Sequence, residues 1–81
     1  MRIFISNLAS TTTAHELRQL FAPYGVVDGG YILHDRKTSQ APGFGFVTML
    51  QAPEAQTAIA GLQGTSLAGW TLTIHEARPR W

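Results

Sequence analysis

Three of the four phenylalanines, Phe4, Phe44 and Phe46, stand in short runs whose residues alternate between the two sides of an extended chain. In Ile3-Phe4-Ile5-Ser6 the isoleucines share one side, and Phe4 shares the other with Ser6. In Gly43-Phe44-Gly45-Phe46-Val47-Thr48-Met49, Phe44, Phe46 and Thr48 share a side, with Gly45, Val47 and Met49 opposite. A flat aromatic face suits one kind of chemistry, stacking on another planar π-system, and stacking on a nucleobase contributes roughly 1–3 kcal/mol. The cations sit around these runs. Arg2 flanks the first, Arg36 and Lys37 precede the second, and Arg78 and Arg80 lie near the end, so that of six cations only Arg18 falls elsewhere. The formal net charge of +1 conceals this asymmetry, which is the footprint expected of a surface that meets phosphates.

Other chemistries find no residues. Ser6 has no base at a useful spacing, and neither a carboxylate pair nor a phosphate-cradling glycine loop is present. Gly43-Phe44-Gly45 lies inside a strand-like run and opens no helix, so a dinucleotide site is excluded. His15, His34 and His75 are scattered without paired ligand spacing, and the chain has no cysteine, which excludes thiolate metal sites and disulfides. The expectation is a protein with no catalytic residues, no metal and no cofactor.

The elements that must position the phenylalanines follow from periodicity. Residues 3–8 read as a strand. Thr13 and Glu16 have capping-box spacing, and Leu17, Leu20, Phe21 and Tyr24 follow at helical spacing until Pro23 and Gly25 end the helix. Residues 26–33 are a second strand, with a bulge or bend expected at Gly29-Gly30. Residues 35–42 are a polar loop and residues 44–50 a third strand. Pro53 opens a second helix with Ala55, Ala58, Ile59 and Leu62 on its apolar face; Gly61 and Gly64 mark its end. Leu67-Ala68-Gly69 is a turn or short hairpin. Residues 70–75 form the last strand, Leu72 and Ile74 inward and Thr73 and His75 outward, and residues 76–81 form a tail. The order is βαββαβ. Each helix has a single apolar stripe, so both cover one face of one sheet, through right-handed crossovers. The opposite face carries Phe4, Phe44 and Phe46 uncovered, and an exposed apolar patch of this kind marks a binding surface.

Length and composition agree. The chain has 81 residues, room for a single domain, with 44% hydrophobic and 14% charged residues, the balance of a folding chain. Nothing approaches the ~18 to 20 apolar residues of a membrane span, and the apolar run at residues 3–5 is too short for a signal peptide. The absence of cysteine suits a reducing compartment, and cytoplasmic residence is expected.

Ile3-Phe4-Ile5-Ser6-Asn7-Leu8 resembles the hexapeptide motif of RNA recognition motif domains, and Pro42-Gly43-Phe44-Gly45-Phe46-Val47-Thr48-Met49 resembles their octapeptide motif, at the right separation. The resemblance covers essentially the whole chain, including Leu17-Arg18-Gln19-Leu20-Phe21 before Tyr24-Gly25 and the closing Glu76-Ala77-Arg78-Pro79-Arg80. It is greatest to short single-domain bacterial and organellar RNA-binding proteins. It implies an α+β, ferredoxin-like sandwich, a four-stranded antiparallel sheet with two helices on one face. It also implies a non-catalytic module for single-stranded RNA, with single-stranded DNA as a second ligand class and an RNA chaperone or regulatory role. Phe4 and Phe46 would each stack under a base, and Phe44 would pack against the sugars between them. Asn7 would fix the loop or a base edge, Tyr31 and Leu33 would extend the platform, and His75, Glu76 and Ala77 would read bases with the main chain. Arg2, Arg36, Lys37, Arg78 and Arg80 would meet phosphates. The sequence departs from the family at Pro42, usually a cation, and at Met49, usually aromatic. It departs again at Gly30, usually a β-branched core residue, which predicts a loose second strand. The alternative is a protein-interaction module on the same fold; the acidic first helix and Arg-x-Phe motif typical of such members are missing, since Glu16 is offset by Arg18 and Gly64-Thr65-Ser66-Leu67 stands at the motif's place.

Overall fold

A computed structural model describes residues 1–33 and 43–77. The expected loop at 35–42 with Arg36, Lys37 and Pro42, and the end of the tail with Arg78, Arg80 and Trp81, lie outside the described residues.

The described residues form a four-stranded antiparallel sheet with two helices, the α+β ferredoxin-like arrangement. The chain runs through β1 (Arg2–Leu8), α1 (Ala14–Phe21), a single 3-10 turn (Ala22–Tyr24), β2 (Val27–Leu33), β3 (Gly43–Met49) and α2 (Ala52–Leu62). Three short strands follow: β4 (Ser66–Leu67), β5 (Trp70–Thr71) and β6 (Thr73–Glu76). The sheet order is β2-β3-β1-β6, which places β1 and β3 at the centre.

Local chemistry explains the boundaries. The Thr13 side chain accepts from the Glu16 N–H at 3.1 Å, and the Glu16 carboxylate accepts from the Thr13 N–H at 3.0 Å, so two orphan donors at the start of α1 are satisfied reciprocally. Pro23 cannot continue the α-helix and tightens its end into the 3-10 turn. Pro53 sits in the first turn of α2, where its missing N–H leaves nothing unpaired.

Strand alternation then sorts the side chains. Ile3, Ile5 and Leu8 of β1, Val47 and Met49 of β3, and Leu72 and Ile74 are buried against Leu17 and Phe21 of α1 and Ala55, Ala58 and Leu62 of α2. Gly45 permits the close approach of α1 to β3. A Cβ there would lie 2.6 Å from the Tyr31 carbonyl oxygen and 3.2 Å from a Leu17 methyl.

Three details differ from the sequence expectation. The segment at 70–75 is not one strand. Trp70–Thr71 turns back on Ser66–Leu67 as a hairpin, and the main sheet begins only at Thr73. Ala68 and Gly69, at φ 53° and 83°, make the two-residue turn with left-handed backbone at both positions that matches strand twist, and the Leu72 N–H bonds the Thr65 carbonyl at 2.8 Å. Glu76, expected in the tail, pairs with Ile3 as the last residue of β6. The second strand is not left loose at Gly30. The Arg18 stem lies over the position where a Gly30 side chain would stand, and its guanidinium donates to the Gly30 carbonyl at 3.0 Å. The irregularity expected at Gly29-Gly30 falls beside them, a register shift between Val27 and Gly29.

After α2 the chain passes Gln63, whose side-chain amide donates to the Ile74 carbonyl at 2.6 Å and accepts from the Ile74 N–H at 3.1 Å.

Candidate nucleic-acid interface

Register fixes what the sheet face opposite the helices presents. Phe4 stands opposite Phe46 in the β1–β3 pair and opposite His75 in the β1–β6 pair, while Phe46 stands opposite Tyr31 in the β2–β3 pair. His75, Phe4, Phe46 and Tyr31 therefore form one row across the whole sheet. Next to it runs a row of Thr73, Ser6, Phe44 and Leu33.

The rings form a connected platform. Centroids are 5.4 Å apart for Phe4 and Phe46, 5.7 Å for Phe4 and Phe44, and 5.4 Å for Tyr31 and Phe46. The rings are tilted rather than parallel, the arrangement favoured by the aromatic quadrupole. Phe44 retains 40% of its surface, Tyr31 43% and Leu33 44%, whereas Ile3 and Ile5 on the opposite face of β1 retain none. Arg2 adds a cation, its Cζ 4.3 Å from the Phe46 centroid and 5.8 Å from that of Tyr31, with a hydrogen bond from its guanidinium to the Tyr31 hydroxyl.

Among the described residues, the structure brings Phe4, Phe44, Phe46, Tyr31, Arg2 and His75 together and sets Asn7 and Glu76 apart from them. Asn7 stands at the end of β1 with φ 65°, where the register shifts between Ser6 and Leu8, and its side-chain N–H donates to the Thr71 carbonyl at 2.7 Å. A short amide side chain tolerates that left-handed backbone, and Asn7 thereby ties the platform strand to the β4–β5 hairpin. Glu76 is half-buried, and alternation places it with Ile74 on the helix side. The Ala77 N–H is taken by the Arg2 carbonyl at 2.9 Å. Trp70 borders the hairpin turn and is 36% exposed.

Sequence reasoning grouped Arg2 with the flanking cations and missed its contact with the rings. The signal was available: Arg2 and Phe4 are two residues apart on one strand and so share a face. On the helix side, a shallow groove is lined by Tyr24, Pro53, Gln56, Thr57, Ala60 and Gly61, none of them charged. Among the described residues no group of three or more His, Cys, Asp or Glu is placed to hold a metal ion, and no helix is long and apolar enough to cross a membrane.

The sequence model of the RNA recognition motif matches residues 3–73. The chain belongs to the RNA recognition motif family. Among curated relatives of this RNA recognition motif chain, a glycine-rich RNA-binding protein of Daucus carota is 37% identical, aligned over 98% of the chain and 50% of its own length. The 31 kDa chloroplastic ribonucleoprotein of Nicotiana sylvestris is 39% identical over 98% of the chain and 25% of its own length. The chain thus spans a quarter to a half of these relatives. Among solved structures, the RNA binding protein PG1 superposes with a TM-score of 0.87 at 34% identity, covering 99% of the chain and 96% of its own. The second RRM domain of yeast poly(U)-binding protein gives 0.82 at 28%, covering 99% and 96%. The curated relatives named here are from plants, one of them organellar, and among them the expected bacterial likeness finds no support. Chloroplastic and mitochondrial relatives also mean that family membership does not carry cytoplasmic residence with it.

Proposed function

We propose that the chain is a non-catalytic module that binds single-stranded RNA, with single-stranded DNA as a weaker ligand. The observation that carries this reading is the row of four ring side chains, His75, Phe4, Phe46 and Tyr31, on the face of an RNA recognition motif sheet opposite its two helices. Splayed bases of a single strand offer the π-faces that such a row accepts, whereas a duplex keeps its bases stacked on one another. Phe4 and Phe46 each carry a base, Phe44 packs against sugar, and Tyr31 and His75 extend the platform toward β2 and β6. Arg2, with Arg36, Lys37, Arg78 and Arg80, meets phosphates. Asn7 acts indirectly, holding the loop end of β1 in place. The printed names of the relatives, RNA-binding protein and ribonucleoprotein, support the ligand class. A chaperone or regulatory role is the use proposed for such a module.

The test is amide-shift mapping with a short oligouridylate and its deoxythymidylate counterpart. The expected result is shifts at Phe4, Phe46, Tyr31 and His75, larger with RNA. Shifts confined to α1 and α2 would instead favour the protein-interaction alternative.

A further inference from the structure

The face of Phe46 is already occupied. The Arg2 guanidinium carbon lies 4.3 Å from the ring centroid, and one of its N–H groups is held by the Tyr31 hydroxyl on the neighbouring strand. A base stacked on the same ring would sit at van der Waals separation, about 3.5–4 Å between carbon atoms, in the volume the guanidinium fills. Phe46 stands on the uncovered side of β3 and is half-buried among its neighbours, with Phe4 and Tyr31 rings on either flank. One outward face remains, and it cannot hold both planes. Phe4 differs: the cation contacts found among the described residues fall on Phe46 and Tyr31, not on Phe4.

We propose that Arg2, held by the Tyr31 hydroxyl across Phe46, is an intramolecular latch occupying the base position on Phe46, which a single-stranded nucleic acid displaces in order to stack there. The proposal rests on the RNA-binding reading and deepens it. Phe4 bears no such cation among the described residues and takes the first base; Phe46 becomes available only when the guanidinium leaves. The released side chain keeps its charge and its donors, which suit a phosphate oxygen beside the platform. Apparent affinity is then reduced by the fraction of molecules in which the latch is open. An exposed cation–π contact and one hydrogen bond together correspond to a reduction of about two- to tenfold after the new phosphate contact is counted.

Two substitutions separate the latch from the platform. Tyr31→Phe keeps the ring and removes the acceptor. Arg2→Lys keeps the charge and removes the planar group. Each is titrated, beside the parent chain and the double variant, with a fluorescein-labelled oligouridylate of about eight nucleotides, and the amide spectrum confirms that each is folded. The expected result is about two- to tenfold tighter binding for either single variant, arising mainly in the association rate, with no further gain in the double variant because both open the same contact. A Tyr31→Phe protein that binds the probe as weakly as the parent, or more weakly, overturns the latch while leaving the RNA-binding reading intact. If neither the parent nor any variant binds the probe, that reading fails and the latch falls with it.

Discussion

The two faces of the sheet are built from the same residue classes and have opposite fates. On the helix side, Ile3, Ile5, Val47 and Met49 are wholly buried. On the other side of the same two strands, Phe44 keeps 40% of its surface and Phe4 and Phe46 are only half-buried. One face converts apolar area into folding stability; the other leaves part of it exposed, and the proposed RNA binding would use it. Such a division is open to a small domain only if the covered face suffices to fold the chain.

The sharpest way to break the comparison is to make one deletion on each face. Ile5→Ala removes a wholly buried side chain packed between the sheet and the helices. It should lower the unfolding free energy by about 2–5 kcal/mol, read from urea denaturation. Phe46→Ala, on the opposite face, should weaken binding of a short oligouridylate by roughly 1–3 kcal/mol, read by fluorescence anisotropy, with the fold intact. Phe4→Ala, whose ring carries no latch to release, should cost at least as much, and Phe44→Ala should do less. If the open-face variants lose stability but not affinity, the division is wrong. Gln63→Ala touches neither face, yet it removes both hydrogen bonds to Ile74. Its expected cost is about 1–2 kcal/mol of stability with binding unchanged. The smallest effect is a gain. Ala68 holds a left-handed backbone that favours Asn, so Ala68→Asn should raise stability by about 0.5–1 kcal/mol, seen as a higher melting temperature.

Much of this division was legible in the sequence, because a period of two states which residues share a side, and two helices with one apolar stripe each can cover only one face. The capping box, Pro53 and the ring cluster followed from local spacing. What escaped depends on contacts between distant segments. The Leu67–Trp70 hairpin was signalled by Ala68-Gly69, but the break at Leu72 was not, since 70–75 alternates without interruption and only the pairing partners change. Gly30 looked like a hole in the core until Arg18, twelve residues earlier on α1, was found lying over it. Arg2 was visible as a charge on the platform side, but its place on Phe46 required Tyr31 to stand one strand further on.

Gln63 has a wider consequence. β6 ends the sheet, and an end strand with free N–H and C=O groups is a template for a strand from another molecule. The Gln63 amide imitates one residue of such a strand, donating and accepting at Ile74 in the pattern of a neighbour. A single side chain thus occupies the place of a neighbouring strand at Ile74. On the proposed reading, copies crowded along one RNA would meet at Ile74 groups that are already paired, which favours separate beads on a string over edge-to-edge fusion into a ribbon.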